Sequence, residues 1–99
     1  MEVKIHAIHF HADQKLVSFI QEKLSKIEHF FDKITGTEVY LKLENNSSSV
    51  KDKVAEIKVM LPGKVLYSEE RSKAFEESFD SAFNSILKQV KKHKEKLKG

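Results

Sequence analysis

The chain has 99 residues, of which 18 are basic and 15 acidic, so its formal net charge is only +3, and it contains no cysteine. This length predicts one domain, residues 1–99, with its own core and no room for a second. The absence of cysteine excludes a disulfide framework and thiolate metal sites. Without a signal-like N-terminus or an apolar run of roughly 18 residues, we expect a soluble, cytoplasmic protein.

The N-terminal part predicts a strand followed by a helix. Val3, Ile5 and Ala7 alternate with polar residues, which is typical of a half-buried strand. Asp13 is a good N-cap for a helix that extends to about Phe31. Its apolar stripe has helical spacing and consists of Leu16, Val17, Ile20, Leu24, Ile27 and Phe31.

Alternating patterns in the middle of the chain predict three further strands. The second follows a break near Thr35 and Gly36, and a polar loop at residues 45–49 separates it from the third. Pro62 and Gly63 then predict a turn into a short fourth strand at residues 64–68. The inward-facing positions are Thr37, Val39, Leu41 and Leu43 in the second strand and Ala55, Ile57, Val59 and Leu61 in the third.

Ser72 predicts the N-cap of a final helix and completes the order β-α-β-β-β-α. The apolar stripe of this helix is Phe75, Phe79, Ala82, Phe83, Ile86 and Val90. Because two amphipathic helices need one apolar sheet face, we expect an α+β two-layer sandwich with a four-stranded sheet, both helices on one face and the other face in solvent. The first crossover should be right-handed and make the first two strands parallel, with the rest antiparallel.

Charge is distributed unevenly along the final helix. Residues 88–99 carry six lysines and one glutamate, a local charge of +5, whereas residues 69–80 carry five acids and two bases, a local charge of −3. Complementing a helix dipole needs only one or two charges, so this basic arm predicts a polyanion as partner. The alternative left open is a merely solvated helix end. The lysines of the arm are Lys88, Lys91, Lys92, Lys94, Lys96 and Lys98.

The first helix predicts a second basic flank. Lys15, Lys26 and Lys33 cluster on one side of a helical wheel, with Lys23 nearer the core edge. If the two helices pack side by side, their flanks form one cationic surface with a groove between them. Lysine suits contact with backbone phosphates more than readout of base edges, and Arg71 is the single arginine of the chain. The pattern therefore favours recognition of RNA shape and phosphate.

Other candidate residues for chemistry give weaker signals. Tyr40, Phe19 and Phe30 are candidates for base stacking, but packing is the favoured interpretation. A metal site at His6, His9 and His11 is disfavoured because structural zinc prefers four ligands and cysteine is absent, so we expect no metal and no cofactor. His93 lies on the apolar stripe of the last helix and is expected to pack at its rim. Without a phosphate loop or a nucleophile with its base, we expect no enzyme activity.

The Gln-x-x-Lys-His-Lys-x-Lys-Leu-Lys pattern at residues 89–98 resembles the final helix of bacterial ribosome hibernation-promoting factors, the ribosome-associated translation inhibitor or sigma-factor modulation family. Further marks of this resemblance are Leu16, Glu22-Lys23-Leu24, Leu61-Pro62-Gly63 and Phe79-Asp80. Glu76, Glu77 and Ser78 depart from the family pattern, which affects contacts of that turn but not the fold. Because the chain stops at Gly99, it resembles the short form of the family.

The resemblance implies a fold similar to double-stranded RNA-binding domains, and we expect a monomer when the protein is free. It also implies binding to the small ribosomal subunit and its rRNA, in competition with mRNA and tRNA, and inhibition of translation in starved or stationary cells. The residues it implies in RNA binding are Lys23, Lys26, Lys88, Lys92, Lys94 and Lys96, to which the helical ridge adds Lys91. The competing hypothesis is a basic module that docks on an acidic protein or an anionic membrane, although Val90 and Leu97 offer little apolar surface for the latter.

Overall fold

The computed structural model describes residues 1–44 and 52–98, and these fold into two layers. The elements are β1 (Glu2–Ile8), α1 (Gln14–Phe30), β2 (Gly36–Glu44), β3 (Asp52–Leu61), β4 (Lys64–Ser72) and α2 (Phe75–Lys98). One sheet has the order β1-β2-β3-β4, with β1 and β2 parallel and the other pairs antiparallel. The predicted α+β sandwich and strand pairing are confirmed. The handedness of the crossover and the likeness to double-stranded RNA-binding domains stay predictions, and the predicted polar loop at residues 45–49 lies outside the described residues.

Both ends of α1 follow from local chemistry. The Asp13 carboxylate accepts the backbone N–H of Leu16 at 2.8 Å, which satisfies one of the donors that a helix start leaves unpaired. The helix ends at Phe30 because Phe31 adopts an extended conformation while its N–H still donates to the Ile27 carbonyl. The predicted cap is confirmed, and the predicted end is within one residue.

The core lies between the two helices and the inward face of the sheet. Phe79 of α2 is the largest fully buried side chain, and its ring centroid lies 6.1 Å from that of Phe19 and 5.9 Å from that of Phe83. Among the strand residues predicted to face inward in β2 and β3, the prediction of burial fails only at Leu43. It lies near the end of β2, opposite Lys53 and beyond the core cluster, and is 38% exposed.

The predicted length of β4 is wrong, since the strand has nine residues and continues to Ser72. The added residues include Glu69 and Arg71, whose charges are satisfied within the sheet. The Arg71 guanidinium donates to Glu44 at 2.5 Å and lies 3.4 Å from Glu69. The ion pair with Glu44 reaches over β3 to β2, and the one with Glu69 lies within β4, so the charges of this segment are paired on the sheet.

The predicted cap at Ser72 is also wrong, because this residue ends β4 and α2 begins at Phe75. Its hydroxyl accepts the N–H of Ala74 at 3.2 Å and meets the hydroxyl of Ser78 at 2.7 Å. Ser78 is fully buried and lies 2.6 Å from the Lys53 carbonyl. The Ser78 hydroxyl therefore ties the start of α2 to both β3 and the end of β4, a role that the sequence pattern did not indicate.

Replacing Ser78 with alanine should lower the free energy of unfolding by about 1–3 kcal/mol, since it leaves buried polar groups without their partner. The matched control is Ser81→Ala, which removes an exposed hydroxyl from the same helix and should change stability little. Urea unfolding of both variants measures the difference. Equal stability of the two variants would contradict the role assigned to Ser78.

The sheet face opposite the helices, here called the open face, carries a polar network. The Glu56 carboxylate accepts from Lys42 at 2.7 Å and from the Tyr67 hydroxyl at 2.6 Å. Partial burial acts to raise the pKa of Glu56, but hydrogen bonds from Lys42 and Tyr67 outweigh it and hold this pKa below its ordinary value. The expectation that this face lies wholly in solvent is wrong at Val54, which is fully buried there opposite Lys42.

This network predicts a pH dependence of stability. Because the folded state lowers the pKa of Glu56, its contribution is present above about pH 4.5, the ordinary value, and is lost as the pH falls through the lowered pKa. Glu56→Gln removes the titrating group, so stability should change less between neutral and acidic pH than in the parent protein. Thermal melting across that range measures this. A variant whose melting temperature falls with acid as steeply as the parent's would exclude Glu56 as a contributor.

Candidate nucleic-acid interface

The lysines of α2 are directed to two sides of the helix. At about 100° per residue, Lys91 and Lys94 share one flank and Lys92 and Lys96 the other, with Lys88 between them. The first flank faces α1, since Lys91 and Lys94 line a hollow with Phe30. The second faces β4. The predicted single surface between two helices is thus divided into two cationic regions on either side of α2.

The first region includes the interhelical groove, a second hollow of about 420 Å³ that shares Phe30 and Lys94 with the first and lies where the ends of α1 and α2 meet. The Lys94 ammonium donates to the Phe30 carbonyl at 3.1 Å and lies 4.6 Å from the centroid of its ring. This carbonyl belongs to the last turn of α1, where unpaired carbonyls and the helix dipole attract a cation. Lys94 therefore holds the two helix ends together. The groove is lined by His29, Phe30, Phe31, Asp32, Lys33, Lys94 and Leu97.

The second region is the hairpin cleft, about 230 Å³, between α2 and the beginning of β4. It is lined by Lys64, Val65, Leu66, Gln89, Lys92, His93 and Lys96. Sequence reasoning missed Lys64, because this lysine follows the turn between β3 and β4 and belongs to no helical ridge. Only the packing of α2 against the sheet brings it beside Lys92 and Lys96.

Lys23 connects the two helices in the middle of the domain. Its ammonium lies 2.9 Å from the Asp80 carboxylate of α2 and 5.6 and 5.7 Å from the ring centroids of Phe19 and Phe83. The side chain is only 29% exposed, which confirms its predicted place near the core edge. The charge of Lys23 is therefore already paired with a carboxylate of the same protein.

The other lysines of the first predicted flank are exposed. Lys15 and Lys26 lie on α1, but Lys33 was wrongly assigned to the helix and lies in the turn after it. Among the residues that the structure describes, five of the seven predicted RNA-binding lysines make no ion pair or side-chain hydrogen bond and are exposed. These five are Lys26, Lys88, Lys91, Lys92 and Lys96.

The aromatic candidates differ in availability. Tyr40 stacks on His6 with ring centroids 4.7 Å apart, and Lys58 lies 5.6 Å from the Tyr40 centroid, so the ring is engaged on the open face. Phe19 packs edge-on against Phe79, as predicted. Phe30 is 37% exposed at the rim of the interhelical groove.

Two further observations concern the histidines and membranes. The His93 ring packs edge-on against Phe31 with centroids 5.9 Å apart and is half-buried, which confirms the predicted rim position. Residues 1–44 and 52–98 contain no group of three or more side chains arranged to hold a metal ion. Across the same ranges, neither helix is long and apolar enough to cross a membrane.

The fold and its two cationic regions define a class, a small α+β domain that presents a lysine-rich C-terminal helix. Residues 3–98 match the family described as Sigma 54 modulation protein / S30EA ribosomal protein, and the chain belongs to this family.

Individual relatives agree with this assignment. The ribosome hibernation promoting factor of Pseudomonas putida is 31% identical over 96 residues, which cover 97% of this chain and 89% of that protein. A ribosomal subunit interface protein from Coxiella burnetii has a similar structure, with a TM-score of 0.82, 18% identity and coverage of 95% of this chain and 98% of the other. The N-terminal domain of Protein Y from Thermus thermophilus gives a TM-score of 0.80 at 24% identity and covers 94% and 99% of the two chains. The two structures support the fold.

Proposed function

We propose that this protein is a ribosome hibernation factor that binds the small ribosomal subunit in the channel used by mRNA and tRNA. Binding there inhibits translation in starved or stationary cells. The similar Pseudomonas putida protein is named a ribosome hibernation promoting factor, which supports the biological role. The distribution of charge on α2 supports the mode of binding.

The observation that carries the proposal is the set of exposed lysines without internal partners. Lys88, Lys91, Lys92 and Lys96 project from three sides of the last turns of one helix. A lysine that is already paired contributes little to a phosphate contact, whereas an unpaired ammonium exchanges its counterions and water for a phosphate oxygen. Unpaired cations lie on both flanks of α2, Lys91 on the α1 side and Lys92 with Lys96 on the β4 side, which suits a helix that lies between phosphates of folded RNA.

Two of the seven lysines have a different part in this proposal. Lys23 and Lys94 are engaged with Asp80 and Phe30, so they fix the relative position of the helices and add charge only secondarily. Lys26 adds an exposed charge on α1. The binding surface is therefore centred on α2 and is held in shape by contacts from α1.

The proposed mechanism is steric and electrostatic. Lysines follow phosphates as point charges, and a single arginine leaves little capacity for bidentate readout of base edges. Specificity then comes from the shape of the rRNA cleft. Five acidic residues at positions 69–80 oppose the reversed orientation in the same cleft. Inhibition follows from occupancy, without any covalent step.

Sedimentation with purified small ribosomal subunits tests this function. The protein should migrate with the subunits in a sucrose gradient, and mRNA with initiator tRNA bound beforehand should prevent it from doing so. Flotation with anionic liposomes is the matched assay for a membrane-docking module. Flotation without cosedimentation would overturn the proposal, and so would inhibition of translation at substoichiometric protein with cleaved rRNA.

A further inference from the structure

The hairpin cleft combines three lysines with a lining free of carboxylates. Lys64 comes from β4, and Lys92 and Lys96 come from consecutive turns of α2. Its volume of about 230 Å³ is several times the roughly 30 Å³ that one water occupies in the liquid. Three cations that face one hollow repel one another unless an anion lies between them, so the arrangement favours an anionic occupant.

The frame of the cleft is fixed independently of its lysines. Gly63 adopts a left-handed conformation, with φ of 74°, which turns the chain tightly and places Lys64 directly opposite Leu61. The Gln89 amide donates to the Tyr67 carbonyl at 2.8 Å and fastens α2 to β4 one turn before Lys92. The walls are therefore held by backbone and amide contacts, while the lysine side chains remain available.

We infer that the hairpin cleft is a binding subsite for a backbone phosphate of RNA, held jointly by Lys64, Lys92 and Lys96. This inference rests on the proposed function and adds to it a residue outside both helices. Lysine ammonium groups satisfy a phosphate as point charges from several directions, which suits a cleft whose cations come from two elements. It also places RNA against the β4 side of α2, in addition to any contact along the interhelical groove.

Binding of single and double variants to purified small subunits tests the subsite. Lys64→Ala should weaken binding by about 3- to 10-fold and reduce the magnitude of the salt slope by about one, the loss of one phosphate contact. Lys4→Ala is the matched control, because Lys4 lies on the open face of β1 and its side chain is similarly exposed. The control should bind as the parent does. Both variants should melt like the parent, since neither lysine is part of the core.

A double-mutant cycle tests whether the lysines share one phosphate. The loss caused by Lys64→Ala should differ in the Lys92→Ala background from its value in the parent, because residues that share a partner are energetically coupled. Strictly independent losses would overturn the joint subsite. If the parent binds with a steep salt dependence and Lys64→Ala binds equally well in the same assay, the subsite inference is overturned while the proposed function stands. Failure of the parent to bind small subunits would overturn the proposed function itself.

Inorganic phosphate serves as the probe for a free-anion site. Amide resonances around Gln89 and Lys92 should shift when the protein binds RNA of the small subunit and should remain largely unchanged with inorganic phosphate at equal ionic strength. Saturable shifts with inorganic phosphate and none with RNA would contradict the assignment to a nucleic-acid backbone.

Discussion

Replacing Lys88, Lys92 and Lys96 with glutamate is expected to abolish binding to the small ribosomal subunit. Lys88→Glu, Lys92→Glu and Lys96→Glu together replace three exposed cations on the solvent and β4 sides of α2 with anions. Each change removes a phosphate contact and adds repulsion from the RNA, so affinity should fall by at least about 10³-fold at moderate salt. A sedimentation or filter-binding titration measures this loss.

The folded state of this variant should persist. All three side chains point away from the apolar stripe, and only position 96 lies in the last turn of α2, where an anion at a helix end costs about 0.3–1 kcal/mol. The matched control replaces the same lysines with arginine, which keeps the charge and should keep most of the binding. Normal binding by the glutamate variant, with a normal circular dichroism spectrum, would mean that the lysine-rich end is only a solvated helix end.

Phe79→Ala should have the opposite pattern of effects. Its side chain is fully buried between Phe19 and Phe83, so truncation removes its packing and leaves a cavity. The expected loss is about 3–5 kcal/mol in the free energy of unfolding. At a temperature where the variant remains folded, its affinity for the ribosome should match that of the parent, since the exposed lysines are unchanged.

Phe30→Ala is the control for this prediction, because it removes the same atoms from a ring that is 37% exposed. Its loss of stability should be clearly smaller. Comparable losses in the two variants would show that the core is not centred on Phe79. Denaturant unfolding of both proteins, followed by far-UV circular dichroism, decides between these outcomes.

Regular periodicity made most of the fold predictable. The apolar stripes of the helices and the alternation in β2 and β3 each indicate a single buried face. Such patterns can be read within one helix or strand, without knowledge of distant contacts. The end of β4 was not predictable in this way. Glu69 and Arg71 are satisfied by partners on the sheet, including Glu44, which is distant in sequence. Ser78 was missed for the same reason, since its partners Lys53 and Ser72 lie on β3 and β4.

The candidate site was predictable in composition but not in arrangement. A helical wheel identifies which lysines of α2 are exposed, and it separates Lys94 from Lys92. It does not reveal that Lys94 is bound to the end of α1 or that Lys92 lies beside Lys64. These relations depend on how the helix is placed on the sheet, which is set by long-range packing. Charge counting thus supports the proposed partner, while the surroundings of each flank of α2 required the fold.

The salt dependence of binding to purified small ribosomal subunits tests the central claim most directly. Five predicted RNA-binding lysines are exposed and make no ion pair among the described residues. If these neutralise phosphates, the slope of log affinity against log salt concentration should be roughly −3 to −5. A slope near zero, at any affinity, would contradict an electrostatic contact between the lysines of α2 and ribosomal RNA.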